Sequence, residues 1–429
     1  MKNPNNKKKQ DKPPKGDDVR AGAGAERYRA PLPQRSDGKV VGVDSHPDFV
    51  VAAVCQGREA FSARTVEVTG QMGIGEFVQW AAGRFRRDDL ILVEASGNSF
   101  HLCAELQAAG LRCAVVESAA LSRYADPWKD DDRRAAERIV TGYLTGLVPC
   151  VWTPDEKTRE RRDLLHCYRR AEQEETAAGN EIKGFLNQHG IRAGKRSLKN
   201  SKTLEWVLAQ RQWSPVQRCL IEECFAAHAA AARRRREFRS MICAQIAACP
   251  LMRRCMRLAG IGPINAFAAL AVIGDCSRFA CPKSLAAYLG LNPGAKTSGA
   301  SKHAKVGVGK GRGRQDMRTL LIQAAQALLR SRRPDPLQKW GAALLFRKGH
   351  RNIAVAAVAR KLAMRLWRVL SFEQPIEGIE HNDALLSKMR KLLTDMGRAA
   401  RADLGLTGTL LSDAALLCLL NPLPAPPSP

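Results

Sequence analysis

Short apolar bursts separated by Asp and Gly dominate residues 39–68. Three can be marked, at 39–44, 48–55 and 60–68. They are rich in Val and Ala and too short for helices, so each predicts a β-strand. The pattern then switches to a helical period at 75–87, where Phe77, Trp80 and Phe85 recur at helical spacing. A continuous apolar run at 90–94 predicts a strand buried on both faces. A helix at 99–109, another buried strand at 112–117 and a further helix follow. The order strand, strand, strand, helix, strand, helix, strand, helix predicts an α/β layer with a mixed sheet.

Past residue 154 the apolar positions thin out and charge becomes dense. Leu164, Leu165, Tyr168, Ile182, Phe185 and Leu186 recur at helical spacing, and Gly190 supplies a C-terminal stop. A second charged helix is expected at 214–248, carrying Leu220, Ile221, Phe225 and then four consecutive arginines, Arg233, Arg234, Arg235 and Arg236. Two long helices around a polar stretch predict an antiparallel hairpin or coiled-coil arm. Pro250 ends it. Residues 251–370 read as mostly helical, interrupted at 258–263 (LAGIGP), where two glycines suit either a backbone approach to phosphate or a close helix contact. Beyond 373 one helix is expected near 383–397, before a Pro-rich end. Residues 1–37 hold almost no large apolar side chain and predict a disordered basic tail.

Charge changes the picture most. Lys and Arg number 69 against 42 acids, a formal excess of +27, which points to polyanions and foremost to nucleic acid. No apolar run reaches the roughly 18 residues of a membrane span, and the first residues lack a signal-peptide core. The expectation is a soluble, cytoplasmic chain with no membrane role. The 13 cysteines form no C-x-x-C pair, so reduced thiols are expected rather than a zinc ribbon or a disulfide framework.

Two groups of residues carry candidate chemistry. Asp44 ends the first predicted strand and Glu94 the fourth, and Asp130, Asp131 and Asp132 open a helix after the last. Carboxylates converging from two strands and a helix can hold a divalent cation through oxygen. Taken singly, each has a blander role in strand-end solvation or helix capping. The second group lies at 289–299 (LGLNPGAKTSG), where Gly, Pro and Asn predict a loop exposing Ser298. A cationic run follows: Lys302, His303, Lys305, Lys310, Arg312, Arg314 and Arg318. A serine beside such cations suits phosphate chemistry.

Six pieces together carry a family resemblance. They are 41–44 (VGVD), 93–97 (VEASG), 128–139, 258–263, 286–293 (AAYLGLNP) with Ser298 and Gly299, and 355–361 (VAAVARK). Over roughly residues 38–372 the chain resembles the insertion-sequence one-ten family of transposases, including its eleven-eleven branch. The resemblance implies a RuvC-like domain of RNase H fold whose acids hold Mg²⁺ or another divalent cation. It also implies a helical arm and a C-terminal domain whose serine links covalently to DNA. Donor and target DNA, a structured noncoding guide RNA encoded by the element, and a homo-oligomer (dimer or tetramer) are the implied partners. One departure concerns the last helix, where the family reads KTDxxDA. Asp132 takes the third acid in the best register and Ala135 stands at the fourth; shifting by one sets Asp131 and Arg134 there instead. Either three acids suffice or the chain is impaired.

The resulting expectation is α/β plus all-α. A tail at 1–37 precedes a RuvC-like domain at 38–153 and a helical arm at 154–249. A serine-bearing domain at 250–372 and a helix with a Pro-rich tail at 373–429 follow. Catalysis falls to Ser298, Asp44, Glu94 and Asp132, the three acids holding metal. Nucleic acid falls to Arg233, Arg234, Arg235, Arg236, Lys302, Lys305, Lys310, Arg312, Arg314 and Arg318. Two rivals stay open: a junction-resolving metal nuclease that needs no Ser298, and a non-catalytic nucleic-acid-binding protein.

Overall fold

A computed structural model describes residues 38–57, 63–124, 131–298, 301–306, 308, 313–331, 335–372, 381–406 and 412–420. The tail at 1–37, Asp130, Lys310, Arg312 and the Pro-rich end lie outside the described residues.

The first part is a six-stranded mixed sheet. Its elements run β1 (Val40–Ser45), β2 (Val50–Gln56), β3 (Arg64–Val68), α1 (Ile74–Arg84), β4 (Leu90–Glu94), α2 (Ser99–Ala108), β5 (Arg112–Val116), α3 (Ser118–Leu121), α4 (Asp132–Leu144) and β6 (Cys150–Val151). The strand order is β3-β2-β1-β4-β5-β6. Strands β1, β2 and β3 pair antiparallel, β1, β4 and β5 pair parallel, and β6 returns antiparallel to β5. The two-residue β6 is too short to leave a period in the sequence. Alternation sorts the central strands onto two cores. Val41, Val43, Ile91, Val93 and Val115 pack on Phe77, Ala81, Leu102 and Leu106. Val40, Leu90, Leu92 and Val116 pack on Ile139, Val140 and Tyr143 of α4. Gly42 lies under α4, where a Cβ would run into the carbonyl oxygen of Ala136.

The two long charged helices expected here are α5 (Glu156–Gln188) and α7 (Pro215–Ala248), which pack on each other as an arm with α6 (Ser201–Leu208) between them in the chain. Asp155 caps α5, accepting from the Thr158 N–H, and Ser214 with Gln217 forms a capping box on α7. The cluster of Ile182, Leu186, Val207, Ile221 and Phe225 closes the arm where α6 joins it.

The remaining helices are α8 (Pro250–Met256), α9 (Pro263–Ile273), α10 (Pro282–Tyr288), α11 (Gln315–Arg330), α12 (Pro336–Lys348), α13 (Arg351–Ser371), α14 (Asn382–Met396), α15 (Arg398–Asp403) and α16 (Asp413–Leu420). Proline opens α7, α8, α9, α10 and α12, where its fixed φ suits the first turn and its missing N–H costs nothing. Every residue from Ala266 to Ile273 is buried, so α9 is the central rod of the main core, surrounded by α5, α7, α8 and α11. Beyond residue 373 the described residues hold three helices rather than the one expected. The 258–263 turn is a close helix contact: a Cβ on Gly260 would stand 3.4 Å from the Ala324 carbonyl oxygen.

The stretch expected as an open loop around Ser298 is instead a hairpin of β7 (Gly294–Ser298) and β8 (Ser301–Val306), with Ser298 opposite Ser301. Its feet are joined. Gly313 (φ 64°) lies on the backbone of Gly290 (φ 69°), and the Arg314 N–H donates to the Tyr288 carbonyl. A Cβ on Gly313 would collide with Gly290 N and Tyr288 O, so this approach needs glycine. All thirteen cysteines are free thiols. No helix among the described residues is long and apolar enough to cross a membrane.

Candidate active site

The site forms where β1, β4 and α4 meet. Val43 pairs with Val93 in parallel register, so the next positions, Asp44 and Glu94, stand side by side at one sheet edge. The close contact of α4 on Gly42 brings the first turn of that helix to the same edge. Asp131 and Asp132 then divide two tasks. Asp131 is the N-cap, its carboxylate accepting from the Arg134 N–H at 2.8 Å. Asp132, in the first turn, faces the sheet edge. Ala135, at the expected fourth-acid position, is 8% exposed on the same helix.

The group that comes together is Asp44, His46 and Asp132, whose ligand atoms all lie within 4.8 Å of one another and which could hold a metal ion. His46 Nε2 is 3.5 Å from Asp44 Oδ2 and 3.4 Å from Asp132 Oδ1. Glu94 is not in that group. The reason is local: β4 ends at Glu94, whereas the chain after Asp44 turns back through His46, whose N–H donates to the Phe49 carbonyl. The turn swings the imidazole over the two aspartates. Sequence reasoning missed His46. The signal was the Asp44-x-His46 spacing, which places two ligand types two residues apart at a strand end.

Electrostatics fit a cation. Burial pushes the Asp44 carboxyl above its ordinary value; His46 pulls it back, Asp132 pushes it up again and Arg138 opposes. Two half-buried carboxylates this close repel, and a divalent ion would relieve the repulsion. His46 Nε2 is buried without a hydrogen-bond partner, an orphaned donor atom aimed at the same spot.

The expected cationic residues separate on inspection. Arg318 is 7% exposed on α11, and Arg314 is half-buried and ion-paired to Asp316 at 2.7 Å, so neither is presented for phosphate. Lys302 and Lys305 lie in β8. On the arm, Arg234 pairs with Glu174 at 2.6 Å and Arg235 with the buried Glu175 at 2.7 Å, tying α7 to α5. Arg233 reaches Glu237 only at 4.0 Å, and the exposed Arg236 makes no ion pair among the described residues. Arg233 and Arg236 are the pair available to a polyanion.

With the acidic edge and the serine hairpin in one chain, comparison with known proteins shows what the chain is similar to. Residues 252–340, which include the hairpin, match the model of the transposase IS116/IS110/IS902 family, and the resemblance read from the sequence is borne out. The similarity extends further in individual relatives. The transposase for insertion sequence element IS1111A of Coxiella burnetii is 27% identical over 292 residues, covering 66% of this chain and 78% of the relative. A Pseudomonas aeruginosa protein named "Probable family 20 transposase" is 27% identical over 296 residues, 66% of this chain and 84% of its own. These findings support a transposase.

Proposed function

We propose that this chain is a DNA transposase of a mobile element, with Ser298 as its nucleophile and a divalent metal, Mg²⁺ or another, at the acidic sheet edge. The observation that carries the reading is the meeting of Asp44 and Asp132 in a chain whose residues 252–340 match a transposase model. The strand order, antiparallel through β1-β2-β3 and parallel through β1-β4-β5, supports the RuvC-like reading of the sheet.

In this reading Asp44 and Asp132 hold the ion, with Glu94 on the neighbouring strand as a third acid. The ion, when bound, stabilises charge on phosphoryl oxygens and activates an attacking oxygen. Ser298 Oγ attacks a phosphodiester phosphorus. One phosphorus–sugar oxygen bond breaks, a phosphoserine ester forms, and the proton given up by the serine hydroxyl is balanced by one taken up by the released sugar oxygen, which becomes a hydroxyl. Attack by a second strand's hydroxyl reverses these steps and rejoins DNA. A serine hydroxyl is a weak nucleophile at neutral pH, so it must meet the acidic edge, within one chain or between protomers of a dimer or tetramer. Lys302, Lys305, Lys310, Arg312, Arg233 and Arg236 position phosphates, as most contacts to a nucleic-acid backbone do. The formal charge of +27 supports more than one polyanionic partner, donor and target DNA together with a structured guide RNA.

The test is a trapped protein–DNA adduct mapped by peptide sequencing. Attachment at Ser298 is expected, and Ser298→Ala is expected to bind DNA normally and give neither adduct nor strand exchange. Attachment elsewhere, or full recombination by Ser298→Ala, sinks the assignment. Free nicked ends without an adduct would favour the nuclease.

A further inference from the structure

We propose that His46 is a nitrogen ligand of this chain's metal centre, and that it makes the centre favour a transition metal such as Co²⁺ or Mn²⁺ over Mg²⁺. The proposal rests on the metal-dependent reading of Asp44 and Asp132 above and specifies its chemistry.

The geometry is that of ligands around a shared ion. Bonds from nitrogen and carboxylate oxygen to a divalent first-row metal are roughly 2.0–2.2 Å, so two ligands of one ion stand about 3.0–3.4 Å apart, depending on the angle between them. His46 Nε2 stands 3.5 Å from Asp44 Oδ2 and 3.4 Å from Asp132 Oδ1. These separations exceed good hydrogen bonds. Nε2 is buried and makes no hydrogen bond of good geometry, although the ring is 38% exposed at its other side.

The imidazole is also held in place before any ion arrives. It stacks on Phe49 with ring centroids 4.5 Å apart. The His46 carbonyl accepts from Asn98 Nδ2 at 2.6 Å, and Asn98 Oδ1 accepts from Ser45 Oγ and Ser96 Oγ, each at 2.8 Å. Asn98 thereby clamps the turn after β1 to the loop after β4. A ligand fixed by stacking and outer hydrogen bonds loses little freedom on binding.

Ligand type then decides the metal. Mg²⁺ demands oxygen ligands in a near-ideal octahedron and gives up water reluctantly. Imidazole is a softer donor that divalent first-row metals accept more readily, in the order Mn²⁺ below Co²⁺. Adding an imidazole to a group of carboxylates shifts the balance the same way.

The test uses the full chain without nucleic acid, titrated with Co²⁺ and with Mg²⁺ by calorimetry. The unsubstituted chain is expected to bind Co²⁺ more tightly than Mg²⁺. His46→Ala should lower Co²⁺ affinity by at least the roughly 10–100-fold that losing even an outer partner costs. It should leave Mg²⁺ affinity within about threefold, because Mg²⁺ gains little from nitrogen. Equal losses for both ions, or no loss for Co²⁺, would overturn the proposal. A second measurement needs no substitution: pulsed electron paramagnetic resonance of Mn²⁺ bound to the unsubstituted chain should show coupling to a coordinated nitrogen nucleus, and an all-oxygen spectrum would overturn it. The two readings fail separately. Metal binding through His46 without DNA joining would refute the transposase alone; DNA joining at an all-oxygen centre would refute this proposal alone.

Discussion

Asp155 shows how one carboxylate can be read without ambiguity. Its side chain accepts from Thr158 at the start of α5, and that interaction holds the carboxyl below its ordinary value, with Arg161 and Lys157 adding to the effect. A depressed folded value means that the cap stabilises the protein above the unfolded value, near pH 4, and that this contribution is lost as pH falls through the folded value. Asp155→Ala is expected to cost about 1 kcal/mol at neutral pH. The gap between the two proteins in urea unfolding should close in acid below about pH 4; a gap unchanged at pH 3 would contradict it. At this scale the sequence is a partial guide. Asp44 and Asp132 are legible as strand-end and helix-start acids. His46 is not, because a lone histidine in a turn is commonplace and its aim depends on the reversal to Phe49. Nor can spacing alone divide capping Asp131 from site-facing Asp132, which depends on how far α4 is rotated on the sheet.

Elements are far more legible than their meeting points. The strand at 90–94 comes directly from its continuous apolar run, and the two arm helices from period, because each helix buries one long face. The hairpin β7–β8 reads from sequence as a loop, since Gly, Pro and Asn announce a turn but say nothing of pairing across it. What places the site is a contact between elements, α4 against β1 at Gly42. Gly42→Ala puts a methyl against the Ala136 carbonyl and Val140, so the helix must lift from the sheet. Overpacking of this kind costs roughly 1–3 kcal/mol. Because Asp132 rides on that helix, the variant is expected to lose metal affinity while the arm and the α9 core stay folded. Calorimetric metal titration beside thermal unfolding checks this; normal affinity in Gly42→Ala would show that α4 does not set the position of Asp132.

For the whole molecule, the excess of positive charge divides into a structural share and a working share. Arg235 sits against the buried Glu175, and Lys199 approaches the same carboxylate at 2.8 Å, so this group belongs to the arm's own stability. Arg233 and Arg236 face outward. Replacing both by alanine is expected to flatten the slope of log affinity for DNA against log salt by up to about 2, roughly 0.9 for each phosphate that is no longer neutralised. Arg235→Ala should instead lower the melting temperature and leave the slope unchanged. Filter binding across a salt series distinguishes the two; identical slopes in the double variant and the parent would mean that these arginines meet only solvent.

The joined feet of the serine hairpin have a consequence for how this chain can change over time. Gly313 on Gly290 closes the excursion at its base, and the Arg314–Tyr288 bond seals it. The β7–β8 hairpin is therefore an excursion whose ends are already together, and lengthening such a segment adds little closure entropy. Residues can be gained, lost or exchanged there without the helical core registering the change. Exchanges in the hairpin can leave α9 and its neighbours undisturbed, whereas the glycine pair at its base admits no side chain at Gly313.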